Sequence, residues 1–169
     1  MKLKFRLSIV IYIFFLINTL NCNKNEIIDP FWDINLNWDK EIIIGRLTES
    51  SKFGKITNCV FSFEKVTYIN NRDFNAKVTG SLNNPLFEKN ALKKLSYSLI
   101  AEFKNEQVSQ FNPGFYKFFK TKMETNYGGN YNETFKDDNI VLHWSLPDNK
   151  YVTVNVLKTI NHYTIKITT

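Results

Sequence analysis

The sequence predicts an α+β fold of two helix-then-antiparallel-sheet units, with the helices packed on one face of the sheet. Two stretches with helix signals, residues 37–54 and 112–129, share one plan and nearly one length. Each is followed by runs in which apolar and polar residues alternate, separated by short turn sequences. No Pro- or Ser-rich linker divides the chain, so we expect one domain with an internal duplication.

The first predicted helix begins at Asn37, whose side chain suits an N-cap, and has acidic residues in its first turn, where the helix dipole favours them. Ile43 and Leu47 form its apolar stripe. The pattern stops at Phe53-Gly54, so we expect the helix to end there.

The second predicted helix begins at Asn112, with Pro113 in the first helical position, and ends at Gly128-Gly129. Four of its residues share one side at helical spacing: Phe115, Phe118, Phe119 and Lys122. A helix rich in aromatic residues and lysines also suits a membrane surface. We expect it to face the core instead, because that stripe leaves only Tyr116 of the aromatic residues outside.

Period-two alternation predicts half-buried antiparallel strands after each helix. The runs after the first helix are residues 55–63, 65–69, 74–80 and 94–103, and those after the second are residues 139–146, 151–157 and 162–168. Residues 83–95 show no clear period, and we expect an irregular excursion there.

The N-terminus has the features of an export signal. Three basic residues precede an apolar segment from Leu7 to Ile17, which is too short to span a bilayer. Thr19-Leu20-Asn21-Cys22 then resembles a bacterial lipobox, although Thr19 and Asn21 replace the usual leucine and small residue. This predicts a signal peptide over residues 1–21 and lipid on Cys22. The alternative is an ordinary signal, with Cys22 and Cys59 free to form a disulfide.

Beyond the signal, we expect a lipidated polar tether over residues 22–33 and a single domain over residues 34–169, with units of about 34–111 and 112–169. Fifteen Phe, eight Tyr and three Trp are ample for a core. The net charge is +6, and three of the basic residues lie in the signal. The remaining basic residues are scattered, which argues against a nucleic-acid partner.

The sequence contains no arrangement typical of a catalytic, cofactor or metal site. Its two histidines, His143 and His162, lie on different predicted strands, and no metal-binding spacing occurs. Cys59 alternates with phenylalanines and is interpreted as a small buried hydrophobe. Asp137-Asp138 suits an exposed turn. We therefore expect no cofactor, no metal and no enzymatic activity.

The layout of residues 37–54 and 112–129, each followed by a β-meander, resembles the repeats of β-lactamase-inhibitor proteins. It is also similar to the small outer-membrane lipoproteins of the barrel-assembly machine. Asn37 and Trp38 stand where such helix starts often have glycine and a small hydroxyl residue. The resemblance implies a role in protein binding or scaffolding through sheet and loop surfaces.

Together these observations predict a cell-envelope protein anchored by lipid on Cys22 to a bacterial membrane, at the outer membrane or the periplasmic face, with an envelope protein as partner. One alternative is an inhibitor or immunity-type protein, which predicts an exposed aromatic-acidic patch. The other is a small envelope hydrolase, which predicts a pocket near Cys59, His143 or Asp137-Asp138.

Overall fold

A computed structural model describes residues 26–50, 53–57, 60–104 and 111–169. The predicted signal peptide, the lipidation site Cys22 and Cys59 lie outside the described residues. Neither helix within these ranges is long and apolar enough to cross a membrane.

The described residues form two helices and eleven strands. The helices are α1 (Lys40–Ser50) and α2 (Pro113–Tyr127). The strands before α2 are β1 (Ile28–Asp29), β2 (Ile34–Asn35), β3 (Phe53–Thr57), β4 (Val60–Asn70), β5 (Asn75–Asn83), β6 (Leu86–Glu88) and β7 (Ala91–Phe103). The strands after α2 are β8 (Tyr131–Lys136), β9 (Asn139–Leu146), β10 (Lys150–Leu157) and β11 (His162–Thr168).

Strands β3 to β11 form one antiparallel sheet in the order β3-β4-β5-β7-β11-β10-β9-β8, with β6 beside the start of β7. β1 and β2 form a separate hairpin. An α+β fold with a large antiparallel sheet is thus confirmed. The predicted division into two helix-then-sheet units is wrong, because β7 pairs with β11 and joins the strands on either side of α2.

The pairing of β7 with β11 explains why the sheet does not divide. Three cross-strand pairs of buried side chains lie on one face of it: Leu95 with Ile167, Tyr97 with Ile165, and Leu99 with Tyr163. Separating these strands would expose all three pairs to water and leave two rows of backbone N–H and C=O groups unpaired.

Helix α1 buries Ile43 and Leu47, as predicted, but its predicted ends are wrong. It starts at Lys40, and Asn37 lies in the turn before it, where its side chain accepts a hydrogen bond from Lys150 Nζ. It ends at Ser50, and Phe53 already belongs to β3.

Helix α2 agrees with the prediction at both ends. The side chain of Asn112 accepts a hydrogen bond of 2.9 Å from the Phe115 N–H, Pro113 occupies the first turn, and Gly128 follows the last helical residue with a φ of 91°. The buried face holds Phe115, Phe119, Met123 and Tyr127, and Phe118 and Lys122 are half-buried beside it. The core-facing interpretation of this helix is confirmed.

Residues 83–95 are regular rather than an irregular excursion. The strand β6 leads through a turn at Lys89-Asn90, both with positive φ, into β7. Asn tolerates this left-handed conformation better than most residues, which explains how so short a hairpin forms.

The tether predicted over residues 22–33 ends earlier than expected. From Ile27 onward the chain belongs to the folded domain, because Ile27, Asp29 and Trp32 are buried there. The β1–β2 hairpin and both helices contribute to the buried core on one face of the sheet, called the inner face below.

Candidate functional site

The face of the sheet opposite the helices, called the outer face below, is the broadest candidate surface. Two neighbouring cross-strand rows cross its centre, and together they are called the outer-face band. One row is Thr79, Ile100, His162 and Leu157, and the other is Ser81, Ser98, Thr164 and Asn155.

The outer-face band contains no charged residue, and Ile100 within it is 41% exposed. The charged side chains of this face stand around the band: Glu64, Lys77, Lys94, Glu102, Lys136 and Lys166. Protein-binding surfaces commonly have this distribution, since charged residues are depleted from the centre of an interface and common at its rim.

An aromatic-acidic cluster lies at one end of the outer face. Tyr68 is 72% exposed and pairs across the strands with Lys77, whose Nζ lies 3.0 Å from Glu102 Oε2. The hydrogen bond to Glu102 raises the pKa of Lys77, and the charges of Glu102, Tyr68 and Glu64 add to this.

His143 and Tyr151 stack at the other end of this face, with ring centroids 5.8 Å apart and planes 17° from parallel. The Nδ1 atom of His143 lies 3.0 Å from the hydroxyl of Thr153. His143 lies on the face of β9 opposite the buried Trp144, as the alternation of residues 139–146 predicts. Its partners are a hydroxyl and a ring, which hold the imidazole in place.

Among the described residues, the candidate histidines and aspartates do not form one site, and Cys59 lies outside the described ranges. His162 is opposite Leu157 and His143 is opposite Thr153, so the histidines lie four residues apart along β10. Asp137 and Asp138 form the exposed β8–β9 turn, in agreement with the prediction. Within the described ranges, no three His, Cys, Asp or Glu side chains group as metal ligands.

A fully buried carboxylate, Asp29, is the clearest polar feature that the sequence did not indicate. Its Oδ1 accepts hydrogen bonds from the backbone N–H groups of Phe31 (3.2 Å) and Trp32 (2.8 Å). Its Oδ2 accepts hydrogen bonds from the hydroxyls of Tyr97 (2.6 Å) and Tyr127 (3.1 Å).

Burial raises the pKa of the Asp29 carboxyl above its usual value of 3.8, against the opposing effect of the hydrogen bonds. Burial and the negative charge of Asp29 also raise the pKa values of Tyr97 and Tyr127.

The local sequence signal for this cluster was Asp29-Pro30 followed by two aromatic residues, because Asp side chains often hydrogen-bond the backbone of a following turn. The hydrogen bonds of Asp29 join the N-terminal hairpin to β7 and to α2.

A second polar network joins α2 to the edge strand β8. Glu133 accepts hydrogen bonds from the Tyr116 hydroxyl (2.5 Å) and Lys120 Nζ (2.7 Å). Lys120 also lies over the Tyr131 ring, whose hydroxyl donates to Glu124. Burial tends to raise the pKa of Glu133, but the two hydrogen bonds and the charge of Lys120 outweigh it and hold that pKa below its usual value.

The sequence did not predict β8, and hence not this network, because Tyr131–Lys136 alternates weakly and carries polar residues on both faces.

A cleft of about 740 Å³ opens between residues 36–39, which precede α1, and the β9–β10 turn. Its lining includes Asn37, Trp38, Lys93, Asp148 and Lys150. Lys150 is buried to 9% exposure and donates to Asn37. Neither His143 nor the Asp137-Asp138 turn lines this cleft, where the hydrolase alternative would need them.

Comparison of the chain with models of protein families, with curated proteins and with solved structures finds no match. The resemblance to β-lactamase-inhibitor proteins and to barrel-assembly lipoproteins, and that of residues 19–22 to a lipobox, therefore stay predictions.

Proposed function

We propose that this protein is a lipid-anchored cell-envelope protein whose folded domain binds a macromolecular partner without catalysis. The observation that carries this proposal is the outer-face band, a charge-free strip of sheet with a charged rim, which neither of the two described α-helices covers.

The chemistry of the band suits a protein partner. Its hydroxyl and amide side chains, such as Ser98, Thr164 and Asn155, are both donors and acceptors of hydrogen bonds. Ile100 supplies apolar surface among them, and burying it costs no charge desolvation. A surface of this kind forms polar contacts at low desolvation cost, as protein interfaces require.

The proposal of a lipid anchor is based on the residues that precede the folded domain. Cys22 precedes Ile27, the first buried residue that the structure describes, by only five positions. A lipid on Cys22 would hold the domain close to the membrane surface, and the several acyl chains of a bacterial lipoprotein would make this anchoring stable. The partner is therefore an envelope protein within reach of that surface.

An inhibitor or immunity-type protein is the second candidate, and the aromatic-acidic cluster favours it. Tyr68 is largely exposed and lies opposite Lys77, which pairs with Glu102, and exposed tyrosines are common anchors of tight interfaces. This candidate predicts one tight partner whose capture is lost in Tyr68→Ala.

The partner proposal is tested by affinity capture from crosslinked envelopes with the double variant Asn155→Glu and Thr164→Lys. These residues are directly opposite each other, so the new charges attract and the sheet is preserved. The control exchanges the exposed pair Arg46 and Glu49 on α1, 3.8 Å apart. We expect the outer-face variant to recover at least about tenfold less of a reproducible partner than wild type and control. Equal recovery by all three proteins contradicts the proposal.

The anchor is tested separately by labelling cells with a clickable palmitate analogue. We expect wild type to be labelled and Cys22→Ala to lose the label, while Cys59→Ala keeps it. Absence of label from wild type would rule out the lipid anchor. The partner proposal would then be decided by the capture experiment alone.

A further inference from the structure

One edge of the sheet lies at β8, and its outward backbone groups have no partner among the described residues. β8 is the last strand in the sheet order and pairs with β9 alone within these ranges. Lys136 and Asn139 are opposite each other across a two-residue turn, so they form a hydrogen-bonded pair. Every second residue of β8 therefore directs its N–H and C=O groups away from β9. These residues are Tyr131, Glu133 and Phe135.

The side chains of β8 hold this edge in place and leave part of it apolar. Glu133 accepts hydrogen bonds from Tyr116 and Lys120 of α2, which fix the strand against the helix. Phe135 is on the same face of the strand, opposite the buried Ile140, yet its side chain is 67% exposed. The edge is thus rigid, and it presents a large apolar ring to solvent.

β8 lacks most of the features that keep an edge strand unpaired. Proteins usually protect such an edge with proline, a bulge or charged side chains. β8 contains no proline, pairs with β9 without a register shift, and has its one basic residue, Lys136, at the last position. Its one acidic residue, Glu133, is bound to Lys120. The backbone of β8 is therefore available to a further strand.

The residues of β8 are self-complementary in one antiparallel register. Two copies of the strand, related by a twofold axis, can overlap over five residues in two ways that keep paired side chains on the same face. One register places Glu133 opposite Glu133 of the second copy, and like charges directly opposite each other are destabilising. The other places Thr134 opposite itself, Asn132 opposite Lys136, and Glu133 opposite Phe135. No like charges are opposite each other in this second register.

We propose that β8 pairs with β8 of a second copy of this chain in that second register, so that the sheet continues across a twofold axis. Glu133 and Phe135 of the two copies exchange backbone hydrogen bonds, and the two Thr134 residues form the central pair on the outer face. The two Phe135 rings become diagonal neighbours on the inner face, within reach of each other. The outer-face band stays free, because it lies on β5, β7, β10 and β11.

Disulfide crosslinking in cells that produce the full chain tests the register. The parent is Cys59→Ala, which also serves as the blank for any dimer formed through Cys22. Thr134→Cys brings two thiols together, because the Cα atoms of a non-hydrogen-bonded pair are about 4.5 Å apart, within the range for a disulfide. Asn132→Cys and Lys136→Cys are matched controls at exposed positions on the same face of β8. The register places each of them opposite the other, and therefore far from its own copy.

We expect mild oxidation to give a dimer with Thr134→Cys and, when they are produced together, with the pair Asn132→Cys and Lys136→Cys. Each control alone should give no more dimer than the parent. The absence of a Thr134→Cys dimer overturns the proposal. Equal dimer from all three single variants, or no dimer from the combined pair, overturns it as well.

A second substitution tests the apolar part of the contact. Adding Phe135→Lys to Thr134→Cys removes the two rings and places two lysines near each other, so the dimer yield should fall at least about threefold. The control adds Leu86→Lys, which replaces a side chain 57% exposed on β6, and should leave the yield unchanged. Because Phe135 is largely exposed, its replacement should not unfold the chain. Equal yields with and without Phe135→Lys contradict pairing through this edge.

Discussion

The hydroxyl of Tyr97 donates a hydrogen bond of 2.6 Å to Oδ2 of Asp29, a residue 68 positions earlier in the chain. Tyr127, at the end of α2, donates to the same oxygen. One buried carboxylate therefore connects the N-terminal hairpin, the central strand β7 and the second helix. The hairpin and α2 pack on the inner face of the sheet to which β7 belongs, so Asp29 helps to fix the position of all three elements.

Replacing Asp29 by alanine should lower the free energy of unfolding by about 3 kcal/mol, because three buried donors and one part-buried donor lose their acceptor. Asp29→Asn keeps the shape and an oxygen for the two backbone N–H groups, and its amide can donate to the tyrosines. It should cost less than about 1.5 kcal/mol. Urea unfolding of both variants measures this, and equal losses would show that the hydrogen bonds contribute little.

The raised pKa of Asp29 predicts how stability depends on pH. A carboxyl whose pKa is raised by folding holds its proton more tightly in the folded state, so its contribution is fully present below 3.8. That contribution is lost as the pH rises through the folded-state pKa. The stability of wild type relative to Asp29→Asn should therefore fall from about pH 4 upward. Unfolding of both proteins across this range tests the sign, and a difference that rises with pH contradicts it.

Glu133 should show the opposite pH dependence, because hydrogen bonds from Lys120 and Tyr116 lower its pKa. Its contribution is present above the usual value of 4.5 and is lost as the pH falls through the lowered one. Glu133→Gln should cost about 1–2 kcal/mol at neutral pH and progressively less in acid. Lys136→Gln, at an exposed position of the same strand, is the control and should change little. A cost for Glu133→Gln that is the same in acid would refute the charge-assisted role.

Asn112 caps α2, and Asn112→Ala should lower the free energy of unfolding by about 1–2 kcal/mol. Asn112→Ser retains an oxygen for the Phe115 N–H and should recover at least half of that loss. Thermal or urea unfolding distinguishes the two. If serine is no better than alanine, the cost comes from the packing of this buried side chain rather than from the cap, because the backbone N–H that donates to Asn161 is present in every variant.

Local patterns predicted much of the fold. Alternation identified β9, β10 and β11, whose residues from Ile140 to Ile167 bury one face as expected. Asn112, Pro113 and Gly128 marked the ends of α2, because caps act through residues a few positions away. The helix start predicted at Asn37 is wrong. The side chain of Asn37 accepts a hydrogen bond from Lys150, 113 residues later, a contact that local sequence does not show.

The rest of the fold depends on contacts between residues that are far apart in the sequence. Nothing in the local sequence shows that β7 meets β11, which makes the sheet continuous. Asp29 lies in a stretch that was predicted to be a tether, and its tyrosine partners are 68 and 98 residues away. The outer-face band is equally non-local, because its rows exist only in the strand order of the folded sheet.

The most direct test of the proposed function is photocrosslinking in cells from two positions of the full chain. A photoreactive amino acid replaces Ser98, in the centre of the outer-face band, or Lys117, exposed on α2. We predict a discrete, reproducible protein adduct from Ser98 and none from Lys117. No adduct from Ser98, or the same adducts from both positions, would contradict binding through the outer face.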